Sequence, residues 1–189
     1  MTARAPSRQA ALLVLAFAGL AVSWRVLPHM PNVAPVAALS LFAAWATGRA
    51  WVGALLSLTV LIVSDAVLGR LLSGFSYDPA LQGIVWAMLL APALLARFLP
   101  ARAGRAFAFS PLAALGGALA FFLVTNAAVW ALGDFYAPGP AGLLTSYAAG
   151  LPFFRASLIG DVLFALTLFG GAALAERGGV RLTQRATPA

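Results

Sequence analysis

The sequence predicts an all-α, polytopic membrane protein of six transmembrane helices with both termini on the cytoplasmic side. Three observations predict it: the residues are 62% hydrophobic and only 9% charged, the apolar residues fall into runs long enough to cross a bilayer, and the arginines alternate in density between successive loops. Soluble domains are roughly half apolar and a quarter charged. With a mean hydropathy of +0.95, this chain has too little polar surface for an ordinary soluble enzyme. The formal charge of +7 comes from 12 basic residues, all arginine, against 5 acidic ones. On a soluble protein that balance would suggest nucleic acid. Here the arginines punctuate apolar runs, so a lipid bilayer is the expected partner and nucleic acid is not. The chain has no cysteine, which excludes disulfides, thiolate metal sites and cysteine nucleophiles. No repeat at solenoid spacing is evident, and residues 1–189 read as a single membrane domain.

A helix needs about 20 mostly apolar residues to cross a hydrocarbon core roughly 30 Å thick. Six segments qualify: Ala10 to Leu27, Val33 to Thr47, Trp51 to Leu68, Gly83 to Phe98, Phe107 to Leu132 and Ser157 to Ala175. The second and fourth are short, which leaves tilt, burial by neighbours, or extension into the adjoining loop. Gly142 to Phe154 is apolar but brief, and Pro138, Pro140 and Pro152 interrupt it. An interfacial or re-entrant segment is expected there. Small residues recur four apart, as in Gly19 with Ser23 and Gly116 with Ala120, a weak signal for close helix packing.

With the N-terminus inside, the inner regions hold Arg4, Arg8, Arg49, Arg97, Arg102, Arg105, Arg177, Arg181 and Arg185; the outer regions hold Arg25, Arg70 and Arg155. That asymmetry orients six spans with both termini inside. A competing reading takes Arg4, Arg8 and the run ending at Ala21-Val22-Ser23 as a signal peptide with its cleavage site. Removing that span would leave every other loop on the same side. The segment from Trp24 onward reads as integral to the design.

Ionisable residues within spans cost roughly 2.5 to 3.5 kcal/mol each at the centre on insertion scales and by default mark a site. Asp65 stands in the third span, about 7.5 Å before Arg70 at helical rise. Asn126 stands in the fifth span, about 12 Å before Asp134, and Asp161 in the sixth, about 9 Å after Arg155. All three lie toward the outer face, as do Arg25 and His29 at the outer end of the first span. An ion pathway would string such groups through the whole thickness, whereas a pocket needs them at one depth. The pattern therefore favours capture of an external small molecule over conduction.

Each residue also has a structural reading. Asp65 can pair with Arg70 or Arg25 to pin helix ends, and Asp161 with Arg155. Asn126 can serve as interhelical glue, and His29, between Pro28 and Met30, as a solvated loop residue. Asp78 and Asp134 fall in outer loops. Trp24, Trp45, Trp51, Trp86 and Trp130 lie mostly near the expected interfaces, as an aromatic belt does. The chain carries no Gly-x-Ser-x-Gly, no His-Glu-x-x-His, no phosphate loop ending in lysine and no aspartate-rich magnesium site. One histidine and no cysteine exclude a conventional zinc site. A non-enzyme with no resident cofactor is expected. The runner-up reading is a non-catalytic membrane scaffold or assembly subunit, and the third an intramembrane hydrolase or transferase with Asp65 and Asp161 facing across a cleft.

Three strings carry a resemblance: Arg25 to Leu39 (Arg-Val-Leu-Pro-His-Met-Pro-Asn-Val-Ala-Pro-Val-Ala-Ala-Leu), Ser64 to Gly69 (Ser-Asp-Ala-Val-Leu-Gly) and Pro152 to Asp161 (Pro-Phe-Phe-Arg-Ala-Ser-Leu-Ile-Gly-Asp). Together with Leu123 to Trp130, they resemble a family of small transport-type proteins, the domain of unknown function 6580. That family looks related to the substrate-binding S components of energy-coupling-factor (ECF) transporters, and most of all to the solitary cobalamin S component BtuM. The likeness runs from about Arg25 to Gly171, and its motifs are moderately specific in order, spacing and topology.

The resemblance implies a six-helix, vitamin-binding protein of the bacterial inner (cytoplasmic) membrane, with an outward-facing pocket closed by the outer loops. It carries His29, Asp65 and Arg155 over as substrate-binding residues, and Tyr77 and Asp78 less securely. Arg25, Asn126 and Asp161 join them from the depth argument. It implies either an ECF ATPase module as partner or action alone, and cobalamin as the leading ligand. A BtuM-like protein is expected to ligate cobalt through a cysteine after the third span, which this chain lacks. Cobalamin would then bind base-on, or with a His29 nitrogen at cobalt. The first span also lacks the Ala-x-x-x-Ala surface that S components present to their module.

Overall fold

The computed structural model describes residues 8–71 and 78–180. All regular structure among them is helical: α1 (Arg8–Val26), α2 (Val36–Thr47), α3 (Ala50–Leu71), α4 (Pro79–Leu90), α5 (Pro92–Leu95) with a 3₁₀ turn (Ala96–Phe98), α6 (Ala103–Leu132) and α7 (Pro140–Arg177). Four stretches are long and apolar enough to cross a membrane: Ala50–Leu71, Pro79–Phe98, Ala103–Leu132 and Pro140–Arg177. Val14–Val26 and Val36–Thr47 are apolar but shorter.

The expectation that the second segment is short because neighbours bury it describes α2 well. Its 12 residues rise only about 18 Å, and every residue from Val36 to Ala46 is buried. A helix apolar on all sides belongs in a core, and α2 packs against α1, α3, α4, α5 and α7. It starts behind Pro35 and ends at Gly48, whose φ of 69° lies in the left-handed region that favours glycine. There the Arg49 amide bonds back to the Ala44 carbonyl at 3.1 Å, closing the helix and turning the chain directly into α3. Buried serines fasten α2 to its neighbours: Ser40 Oγ donates to the Leu90 carbonyl at 3.0 Å, and Ser57 Oγ to that of Val36 at 3.3 Å. Such short polar links suit helices whose apolar surfaces gain little by leaving lipid.

Trp45 departs from the expected aromatic belt. It is wholly buried, its ring 5.1 Å from that of Phe169, and its indole N–H donates to the Pro100 carbonyl at 2.8 Å. The packed side of α2 and a partner for the polar end of the ring together place it in the core. Pro92, which has no amide hydrogen to continue the ladder, interrupts the fourth segment between α4 and α5.

The largest difference from the sequence expectation is α7. Residues 142–154 form no separate re-entrant element; one helix of 38 residues runs through Pro152. The reason is a partner along its length. Ser146 Oγ donates to the Asn126 carbonyl at 2.9 Å, Tyr147 OH to that of Leu123 at 3.1 Å, and the rings of Phe122 and Phe154 lie 4.9 Å apart. At Gly150 a methyl group would stand 2.8 Å from the Asn126 amide carbon, so only glycine lets the helices approach so closely. Pro140, by contrast, occupies the first turn, where the missing amide hydrogen costs nothing.

At the opposite end of this antiparallel hairpin the Glu176 carboxylate accepts the Ala103 amide at 2.8 Å. Arg49, Arg97, Arg102, Arg105 and Arg177 gather at that end, in the α2–α3 turn, the approach and first turn of α6, and the end of α7. Toward the other end, the α1–α2 loop meets α7 near Gly160 and Phe164: Val33 lies against Gly160, and the Trp24 and Phe164 rings are 5.2 Å apart. The 20 or so residues of α7 before Gly160 therefore carry the hairpin roughly 30 Å past that loop at helical rise.

Candidate functional site

Arg25 closes α1, where a cation also complements the carbonyl end of the helix. Its Nε donates to Ser64 Oγ at 2.7 Å, and one Nη forms an ion pair with Asp65 Oδ1. Ser64 and Asp65 are adjacent on α3, so the planar guanidinium meets both at once. The other Asp65 oxygen accepts Gln82 Nε2 at 3.1 Å and Trp86 Nε1 at 3.0 Å. Gln82 and Trp86 are four apart on α4 and so share a face. The Asp65 carboxylate thus takes donors from α1 and α4 while standing on α3. The paired side chains are 18% and 16% exposed, and charges this far from solvent persist only with such pairing. It is the one ion pair among the described residues.

This cluster forms one wall of a cavity of about 260 Å³. Arg25, Asp65, Gln82 and Trp86 line that wall, while Phe121 of α6 and Ser157 and Asp161 of α7 line the facing one. His29 and Asn32 reach it from the α1–α2 loop. His29 Nδ1 lies 2.8 Å from the Leu27 carbonyl. A carbonyl can only accept, so Nδ1 carries a proton, which in the neutral ring leaves Nε2 as an acceptor. Asn32 has φ 63°, a left-handed conformation that asparagine tolerates better than most residues.

Asp161 differs from Asp65 in having neither a hydrogen bond nor an ion pair among the described residues. The expected partner, Arg155, is exposed and does not line the cavity. Six residues on a helix turn the side chain about 240° and advance it about 9 Å, so the two share neither a face nor a level. The same geometry decides Asp65, which is rotated about 140° from Arg70 and pairs with Arg25 instead.

The remaining candidates lie elsewhere. Asn126 is packed between α6 and α7, its Nδ2 donating to the Phe122 carbonyl at 2.8 Å, and it does not line the cavity. Asp78 caps α4, accepting the amides of Ala80 and Leu81, each at 2.9 Å. Tyr77 lies outside the described residues.

Sequence reasoning missed Ser64, Gln82 and Trp86 as partners of Asp65, and Asn32, Phe121 and Ser157 as cavity lining. The i, i+4 spacing of Gln82 and Trp86 at the start of α4 was the available signal for two of them. Chemically, the cavity offers a neutralised ion pair on one side and an unpartnered carboxyl group on the other, with aromatic surface from Trp86 and Phe121.

No curated protein and no solved structure matches the chain. A family model does, over residues 5–183: with nearly its whole length covered, the chain belongs to the family of unknown function DUF6580.

Proposed function

We propose that the protein is a substrate-binding membrane protein for uptake of a vitamin-sized solute. In this reading it has six spans, both termini are cytoplasmic, and the cavity opens outward. The observation that carries it is polarity along the bundle: the 260 Å³ cavity lies at the end of α3 opposite Arg49, Arg97, Arg102, Arg105 and Arg177. Arginine-rich ends stay in the cytoplasm, so the cavity faces the external medium. The likeness to energy-coupling-factor S components supports the same reading and makes cobalamin the first ligand to try, with or without an ATPase partner. The proposed location is the bacterial inner membrane.

Two measurements test it. The chain has no cysteine, so single cysteines report sidedness cleanly. Met30→Cys should react in intact cells with a membrane-impermeant maleimide, and Ala101→Cys only after lysis; the reverse pattern would falsify the orientation. The purified protein is then titrated with cobalamin, read by absorption, and with a vitamin panel, read by thermal shift. Saturable binding of one member supports uptake.

A second reading, a non-catalytic membrane scaffold, has one specific observation in its favour. The Arg25–Asp65 network already satisfies Asp65 and ties α1, α3 and α4 together without a ligand. Failure of every solute to bind would promote it.

A further inference from the structure

Resting on the reading of this cavity as a solute site, we infer that its ligand is a compact organic monocation, held with its charge against Asp161. Three features of the lining lead there. Arg25 and Asp65 cancel each other across a direct ion pair, and no other arginine lines the cavity. Asp161 is therefore the acidic group of the lining that the protein leaves unpartnered, and no described donor satisfies it. Leaving such a group without a partner is costly away from water, and a ligand cation supplies what the protein does not.

The neutral groups agree with that sign. His29 Nε2 is an acceptor because Nδ1 is committed to the Leu27 carbonyl, while the amide of Gln82 and the indole N–H of Trp86 are already committed to Asp65. The single Trp86 donor is thus spent on the protein, while the neutral His29 ring offers an acceptor. Trp86 and Phe121 add aromatic surface, which attracts cations through the ring quadrupole. The volume sets the size. At about 260 Å³ the cavity sits near the lower end of the roughly 300 to 1,000 Å³ usual for small-molecule sites, which suits a compact solute.

The test compares cations with neutral molecules of the same shape on the unaltered, full-length protein in detergent. Choline is set against 3,3-dimethylbutanol, and 2-phenylethylammonium against 2-phenylethanol, by calorimetric titration and thermal shift. At least one cation should bind and its neutral counterpart should not. Asp161→Asn should weaken that cation about 10- to 100-fold, the range for losing a charged partner, without lowering the ligand-free melting midpoint.

Equal binding of cation and neutral isostere overturns the assignment, as does wild-type affinity in Asp161→Asn. Should that variant fail to fold, the isostere comparison still decides. Binding of cobalamin or another vitamin with none of the cations overturns the monocation while leaving the uptake reading standing. Binding of nothing in either panel removes both.

Discussion

The two flanks of the cavity each present an intramembrane aspartate, and they treat it in opposite ways. On the α1–α3–α4 flank, Asp65 is ion-paired to Arg25 and accepts further hydrogen bonds from Gln82 and Trp86. On the α6–α7 flank, Asp161 has no described partner at all. Similar depth and identical chemistry therefore do not imply one role. A carboxylate whose oxygens are both occupied holds helices together; a carboxylate left bare at a cavity wall is available to something else. On the proposal above, Asp65 belongs to architecture and Asp161 to binding, and each role predicts a different pattern of loss.

The largest expected effect is on the satisfied side. Asp65→Ala leaves the Arg25 charge poorly solvated and without its counterion, and breaking such a pair costs about 3 to 5 kcal/mol. The melting midpoint in detergent should collapse whether or not any solute is present. Replacing both partners together, Arg25→Met with Asp65→Leu, should recover most of that loss, because the penalty is chiefly the stranded charge. If the double variant is as unstable as the single one, the pair is contributing something beyond mutual compensation.

Trp86→Phe tests the same network more gently. It keeps an aromatic ring at the cavity wall and removes only the indole N–H that bonds Asp65 at 3.0 Å. A hydrogen bond to a charged group is worth about 1.5 to 3 kcal/mol, so the variant should be less stable than the parent and more stable than Asp65→Ala. A Trp86→Phe protein with an unchanged midpoint would mean that Arg25 and Gln82 alone satisfy the carboxylate.

Which of these roles the sequence could show depended on geometry more than on residue type. Helical rise gives depth from residue counts alone, and depth was legible: Arg25, His29, Asp65 and Asp161 do line one cavity at one end of the bundle. Rotation around each axis separates Asp161 from Arg155 and Asp65 from Arg70, and it follows from the same counts at 100° per residue. Which helix stands opposite does not, so the choice of Arg25 for Asp65, and of Gln82 and Trp86 beside it, needed the packed structure. Proline misled for a related reason. Pro152 opposes a helix locally, yet α6 lies beside that segment and holds it helical through Asn126, Leu123 and Phe122. Family resemblance was legible and the family is shown, while Arg155, carried over from it, stands outside the cavity.

On the bare side, stability and binding should move apart. Asp161→Asn removes an acidic group that no described residue partners, so the ligand-free protein should melt no lower than the parent and up to about 1 kcal/mol more stable, at the small end of what an unsatisfied polar group costs. Loss of stability on the scale of Asp65→Ala would show that Asp161 is structural after all, and the contrast between the flanks would fail.

The smallest effect sharpens the same boundary from outside. Arg155 shares the end of the bundle with Asp161 but points away around the helix, and it is exposed. Exposed substitutions away from special contacts change energies by about half a kcal/mol or less, so Arg155→Ala should leave cation affinity within about twofold of the parent. A charge effect at longer range would act in a known direction: removing a cation near the mouth should slightly favour a cationic ligand and disfavour an anionic one. Measuring choline affinity in Arg155→Ala at low and high salt separates the cases, since screening erases a long-range effect and leaves a direct contact largely intact. A large, salt-insensitive loss would place Arg155 in the site, and with it a hairpin conformation that bends the outer part of α7 over the cavity.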